Sequence, residues 1–300
     1  MIDWLLLILP GCIWGASFLF IAEGLESVAP NGVTFVRILV GFLTLTMIPA
    51  ARRPIAAADR GKTALLGVVW LAFPLSMFPF AEQHVSSALT GMLNGATALT
   101  AAAIGSLLAR RLPSRGTLVG LAVGFTGAVL IAWPGVASSD PRDSQAFGIL
   151  LIAVALTSYG FAYNLAGPLQ QRNGALPVIW RALGVALVLT APLGIPAVLS
   201  AHWTLWPVLS LLMLGAFGTA IANVLAAIGA GRMGATTSSA TAFLIPVVAL
   251  LLGVVVRHEQ VAPLSIVGAA VCLAGAWLVR QARIAEMRQP AMVADASRAV

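Results

Sequence analysis

Asn94 and Asn223 each stand in the middle of a long apolar run. An amide facing lipid there without a partner costs several kcal/mol, so both need one. Thr90 and Thr97 fall at helical spacing on either side of Asn94, and Thr241 and Phe243 stand just before Pro246. The chain's two tyrosines, Tyr159 and Tyr163, are spaced to share one helix face, with Asn164 beside them. Trp14, Ser17 and Phe18 form a similar group in the first apolar run, and Phe78 precedes Pro79 in the third. Amides and hydroxyls orient a small polar molecule and aromatic rings wall it in, so these residues make a candidate binding set. The competing role for each polar member is a hydrogen bond between helices, worth about 0.6 kcal/mol on average.

Catalysis finds less support. Ser17, Ser76 and Ser158 have no histidine or lysine within their runs to activate them. His84, His202 and His258 show no metal-ligand spacing. There is no phosphate-binding glycine loop, and Cys12 and Cys272 both lie in apolar runs as buried hydrophobes. No enzyme activity, metal or cofactor is expected. Prolines inside the runs, above all Pro74, Pro79 and Pro246, remove backbone donors and mark candidate gating points.

The elements that must position these residues follow from composition. With 60% hydrophobic and 9% charged residues and a mean hydropathy of +0.98, this chain cannot coat itself for water. Apolar runs long enough to cross a bilayer occur at 4–22, 31–50, 63–81, 86–109, 115–133, 147–166, 176–198, 205–229, 235–256 and 262–280. The expectation is an all-α polytopic membrane protein of ten transmembrane helices, with lipid as its main solvent.

The net charge of +7 then acquires an address. Thirteen of the seventeen basic residues fall on one side: Arg52, Arg53, Arg60, Lys62, Arg110, Arg111, Arg115, Arg172, Arg232, Arg280, Arg283, Arg288 and Arg298. Only Arg142 and Arg257 fall on the other, with Arg37 and Arg181 inside runs. The positive-inside rule places both termini in the cytoplasm and leaves nothing that points to nucleic acid.

The two halves of the chain repeat at a nearly constant offset. Trp14, Gly15 and Phe18 answer Tyr159, Gly160 and Tyr163; Arg37 answers Arg181; Gly120 and Gly127 answer Gly268 and Gly275. Five runs per half mean that the second half enters the membrane from the opposite side, as in many secondary transporters. The halves are 1–135 and 146–283, followed by a polar cytoplasmic tail at 284–300.

These residues also carry a resemblance. Trp14-Gly15, Arg37 after Pro30, Ser87-Ala88-Leu89-Thr90, Pro246, and Glu259 followed by Gly268 and Gly275 resemble the EamA family of the drug/metabolite transporter superfamily. Asn94, Asn223 and Phe243 look most like its YddG-type, aromatic amino-acid exporting branch. The first half departs from the pattern, with Arg111 where Glu259 stands in the second half and Ala98 where Pro246 stands. The resemblance implies ten helices around a central cavity and export of amino acids or similar metabolites from a bacterial inner membrane. The alternatives are a channel-like or structural membrane protein, or a carrier of another metabolite or drug class.

Three further expectations can be checked in three dimensions. No run holds an acid near its centre and Glu82 reads as interfacial, so transport should be facilitated diffusion or exchange without ion coupling. Arg37 should pair with Glu23 or Glu26 in the adjoining loop, or else draw substrate carboxylates to the vestibule. The glycines at four-residue spacing in the fourth and fifth runs (Gly91 with Gly95; Gly116, Gly120, Gly124) should serve close packing, within a monomer or in a weak homodimer.

Overall fold

The computed structural model describes residues 2–137, 145–233 and 239–296. Arg142, Arg298 and the start of the ninth expected run, 235–238, lie outside them. The described residues are helical, with no strand among them. The principal helices are α1 (Ile2–Leu25), α2 (Pro30–Thr46), α3 (Ala57–Glu82), α4 (Ser87–Leu108), α5 (Arg115–Ala137), α6 (Gln145–Asn173), α7 (Ala175–Leu199), α8 (Leu205–Met233), α9 (Thr241–Val256) and α10 (Pro263–Ala296). Eight of them are long and apolar enough to cross a membrane; α2 and α9 are shorter apolar helices.

Their outward faces are apolar. Trp4, Val188 and Leu205 are 69%, 72% and 76% exposed, which water would not tolerate over so wide a surface. Lipid accounts for it, and the chain is a polytopic membrane protein. The core between the helices gathers Phe18, Ile21, Phe78, Met92, Leu99, Ile152 and Ile245.

Local chemistry sets the ends and breaks. Pro30 opens α2, where its missing N–H is not needed. Ser86 caps α4 by accepting from the amide of Leu89 at 3.2 Å. Gly174, at φ +83°, makes the tight passage from α6 to α7 that a side chain would resist. The run expected to reach residue 50 stops at Thr46, because Pro49 starts a separate short turn, Pro49–Arg52. At the other end, α10 continues as helix to Ala296, well past the expected start of the tail.

Four helices are irregular. α3 contains a π-helical stretch at Gly67–Ala72 that leads directly into Pro74, and α8 contains one at Leu214–Ile221. α4 breaks between Asn94 and Thr97, and α9 changes from a 3-10 turn to α-helix at Leu244. Left-handed residues in the α4–α5 and α9–α10 connections, Arg110 at φ 51° and His258 at φ 54°, sit in matching places of the two halves.

Small residues determine which helices meet. α5 and α10 form the most extensive pair. A Cβ on Gly120 would meet the backbone nitrogen of Val279 at 2.7 Å, and one on Gly268 the backbone nitrogen of Ile131 at 2.6 Å. The expected glycine packing is therefore intramolecular here. Gly91 and Gly95 do the same for α4 against α9, fitting under Ala249 and Pro246.

Candidate functional site

The middle of the bundle is built from the irregular stretches. Asn94 ends the first part of α4, and its freed carbonyl accepts from the Thr97 hydroxyl at 2.6 Å. The same hydroxyl lies 3.3 Å from Asn94 Oδ1, while the Asn94 amide nitrogen has no partner among the described residues. That half-buried donor beside a helix break could hold a polar ligand. Pro246 is buried against Gly95, across the same break.

Asn223 donates to the carbonyl of Thr219 at 2.8 Å, just beyond the π-helical stretch of α8. The Thr219 hydroxyl accepts from Arg37 Nε at 2.9 Å. Arg37 is thus buried, 7% exposed, and tied to α8. The expected pairing with Glu23 or Glu26 is not present: both carboxylates are held by Arg257 instead. Sequence distance concealed this, because α2 lies against the π-helical stretch of α8.

The aromatic candidates form a connected series. Phe18 meets Phe78 edge-on with centroids 5.7 Å apart, Phe78 lies 5.8 Å from Tyr159, and Tyr159 lies 6.1 Å from Tyr163. Trp70 extends it from Tyr163 at 6.0 Å, a member that sequence reasoning passed over. Trp14 donates its indole N–H to the carbonyl of Gly218 at 3.1 Å, fixing α1 against α8.

Other candidates are engaged locally. Ser17 bonds back to Ile13 and is buried beside Gly218. Thr90, at 0% exposure, bonds back to Ser86. Thr241 reaches the carbonyl of Leu7 at 2.9 Å and joins α9 to α1. Phe243 packs against the main core, and Pro74 and Pro79 are both buried in α3.

Two cavities among the described residues lie elsewhere. One of about 260 Å³ is lined by Thr34, Ser76 and Thr190 among others. The second, about 460 Å³, is lined by Ser106, Arg111, Ser114, Asn164 and Arg283. Of the candidate binding set only Asn164 lines either of them, and Phe18 and Phe78 pack into the core.

An ion cluster closes the end where α1 turns into α2 and α9 leads into α10. Arg257 binds Glu23 and Glu26, the latter at 3.1 Å, and lies 3.7 Å from Glu259. Glu259 in turn accepts from Ser87 N at 3.0 Å, Ser87 Oγ at 2.8 Å and Ala88 N at 2.8 Å. A carboxylate at a helix N-terminus satisfies free amides and opposes the helix dipole favourably. Burial alone would lower the Arg257 pKa, but its hydrogen bonds to Glu26 and Glu23 hold it above the ordinary value. The cluster joins α1, α4 and α9.

Glu82 belongs to the same end and requires a correction. It was expected at the interface, yet both its carboxylate oxygens are buried and lack a hydrogen-bond partner among the described residues. The end of an apolar run reads as interfacial in sequence, but here α1, α2 and α6 pack against the helix that Glu82 ends. Glu82 is the last residue of α3, so it is a buried acid at a helix end and not near a helix centre.

The opposite end has its own tie. Asp59 receives Arg172 at 2.8 Å and Asn173 at 2.8 Å, joining the start of α3 to the end of α6.

Known proteins resemble this arrangement along its whole length. A probable terminal-alkyne amino-acid exporter of Streptantibioticus cattleyicolor is 27% identical over 290 residues, covering 94% of this chain and 95% of that protein. The uncharacterized transporter YoaV of Bacillus subtilis is 24% identical over 89% of this chain and 92% of its own. A solved crystal structure shares the fold, with a TM-score of 0.61 at 17% identity, covering 95% of this chain and 97% of that one. The sequence profile of the EamA-like transporter family matches residues 2–133 and again residues 146–281, and the chain belongs to that family.

Proposed function

We propose that this chain is a secondary transporter that exports amino acids or similar small metabolites across a bacterial inner membrane. The observation that carries the proposal is full-length similarity to a probable amino-acid exporter, within a family of transporters. In this reading ten helices cross the membrane as two inverted repeats, 1–135 and 146–283. Both termini and the segment 284–300 are cytoplasmic, and the protein works as a monomer or weak homodimer. The one-sided distribution of bases supports the topology. The matching irregularities in α3 and α8, and in α4 and α9, support the repeat.

Transport then proceeds by alternating access. The Arg257 cluster closes the outer end, and opening it must release Glu23, Glu26 and Glu259 together. Substrate is held between the α4 break and α8. The Asn94 amide and the Asn223 carbonyl orient it, and Trp14, Tyr159, Tyr163 and Phe243 supply apolar contact. Pro74, Pro79 and Pro246 lie where α3 and α9 must flex.

Efflux of labelled neutral amino acids from loaded proteoliposomes tests the assignment. Asn94→Ala and Asn223→Ala should each raise the half-saturating concentration about tenfold, the effect of losing one hydrogen bond to the substrate. Wild-type half-saturation in both variants would remove these residues from the site, and no efflux of any amino acid by the wild type would remove the substrate class.

A further inference from the structure

Arg111 stands where Glu259 stands in the second half, so the charge at this place is reversed. Each follows a left-handed residue, Arg110 and His258. Glu259 places its carboxylate on the amides at the start of α4, so the protein supplies its own anion there. At the other end the matching place presents a cation instead.

Arg111 lines the cavity of about 460 Å³, together with Arg283 of α10. Close packing brings α10 to it: a Cβ on Gly116 would meet the Ala282 Cβ at 3.0 Å, so the start of α5 lies against the turn that carries Arg283. Among the described residues no carboxylate lines the cavity, and the Arg111 side chain makes no ion pair. Arg110 and Arg115 add charge of the same sign nearby in the chain, and Glu286, three residues past Arg283, is the nearest acid in sequence. The first turn of α5 also borders the cavity through Thr117, and the dipole of a 23-residue helix favours an anion at that end. Guanidinium forks match phosphate oxygens bidentately, so phosphate is the anion this lining suits best.

The surroundings decide what carries the phosphate. Leu107, Leu108 and Leu118 are exposed on the adjoining turns of α4 and α5, and Leu112, which lines the cavity, is 94% exposed. Cations beside an apolar surface at the end of membrane-spanning helices fit a molecule that joins phosphate to hydrocarbon chains. On the α6 wall, Asn164 donates through its nitrogen to the carbonyls of Ala101 and Gly160, which leaves Oδ1 to accept. An acceptor in a cavity with two cations suits a head group that carries hydroxyls as well as phosphate.

We propose that this cavity binds the head group of an anionic phospholipid, with its phosphate at Arg111 and Arg283 and its acyl chains along the exposed leucines of α4 and α5. In the topology proposed above, the lipid belongs to the inner leaflet. The bound lipid joins the α4–α5 connection to α10, the tie that Glu259 makes with its own carboxylate at the outer end. The site requires only the membrane-embedded fold and stands apart from the transport reading.

Native mass spectrometry of the purified, delipidated protein in a non-ionic detergent tests this. The probes are phosphatidylglycerol, phosphatidylcholine with the same acyl chains, and inorganic phosphate. The wild type should bind its first phosphatidylglycerol about 20-fold more tightly than phosphatidylcholine. Arg111→Gln and Arg283→Gln should each weaken phosphatidylglycerol about fivefold, and together they should remove the preference. The double variant Arg52→Gln/Arg53→Gln loses the same charge from another connection at the same end and should keep the preference. Phosphatidylglycerol should also raise the unfolding midpoint of the wild type and leave that of Arg111→Gln/Arg283→Gln unmoved. Both arginines are exposed, so these changes leave the core intact. Equal affinity of the wild type for the two lipids overturns the site. An undiminished preference in Arg111→Gln/Arg283→Gln overturns it too, as does an equal loss in Arg52→Gln/Arg53→Gln, which marks a general charge effect. Inorganic phosphate binding as tightly as phosphatidylglycerol overturns the lipid and makes a soluble anion the ligand.

Discussion

Arg257→Gln is expected to open the outer end of the bundle, raising access from outside about 30-fold. The guanidinium is only 26% exposed, and it binds Glu23, whose side chain is 14% exposed, together with Glu26 and Glu259. Glutamine cannot neutralise three carboxylates, and at least two of them stay partly buried. Exposed ion pairs contribute under about 1 kcal/mol, whereas breaking a fully buried pair costs roughly 3–5 kcal/mol. This cluster lies between them, at about 2 kcal/mol, which converts to a roughly 30-fold population shift. The reporter is a cysteine at Thr90, which is fully buried close behind the cluster, with Cys12 and Cys272 replaced by alanine. Its reaction rate with a membrane-impermeant maleimide added outside should rise by that factor in Arg257→Gln. An unchanged rate would mean that the cluster does not hold this end shut.

The second large effect concerns stability. Alanine at Gly127 is expected to destabilise the protein by about 1–3 kcal/mol, although alanine is the better helix former. A Cβ there would collide with the backbone of Cys272 and come within 2.7 Å of the Gly268 carbonyl. Neither atom is the flexible end of a side chain, so α5 and α10 must separate along their most extensive contact. Gly167 in α6 is the matched control, since a Cβ there meets nothing within 4 Å. Gly167→Ala should stabilise by up to about 1 kcal/mol through propensity alone. Thermal unfolding in detergent, followed by circular dichroism, should lower the midpoint for Gly127→Ala and hold or raise it for Gly167→Ala. Two midpoints moving together would show that the α5–α10 contact is not glycine-limited.

Much of this architecture could be read from the chain because lipid imposes a simple rule. A helix exposed to hydrocarbon must be apolar for its whole length, so nearly every helix announced itself as a run. The glycines of α5 and α10 likewise betrayed a close contact, though only the fold showed that each is the other's partner. Partnership is where one-dimensional reading stopped. Arg37 was matched to acids nearby in sequence, whereas its bond is to Thr219 on a distant helix. Glu82 stands at the edge of a run, and nothing in its neighbours announces that its carboxylate oxygens are buried. The Thr90 and Ser17 hydroxyls bond their own helix backbone at Ser86 and Ile13, a local partner that sequence spacing does not distinguish from a distant one. Glu259 was visible as part of a family signature, while its work as the cap of α4 depends on a connection far away in the chain.

The central claim is that this chain carries a small metabolite through a site that faces one side of the membrane at a time. Trans-stimulation tests that claim most directly. Purified protein in liposomes is preloaded with an unlabelled neutral amino acid, and uptake of the labelled form is followed across concentrations. The account predicts saturable uptake that internal substrate accelerates for at least one amino acid of the panel, because the site returns loaded. Uptake that rises linearly with concentration and ignores internal substrate would contradict it and identify a pore.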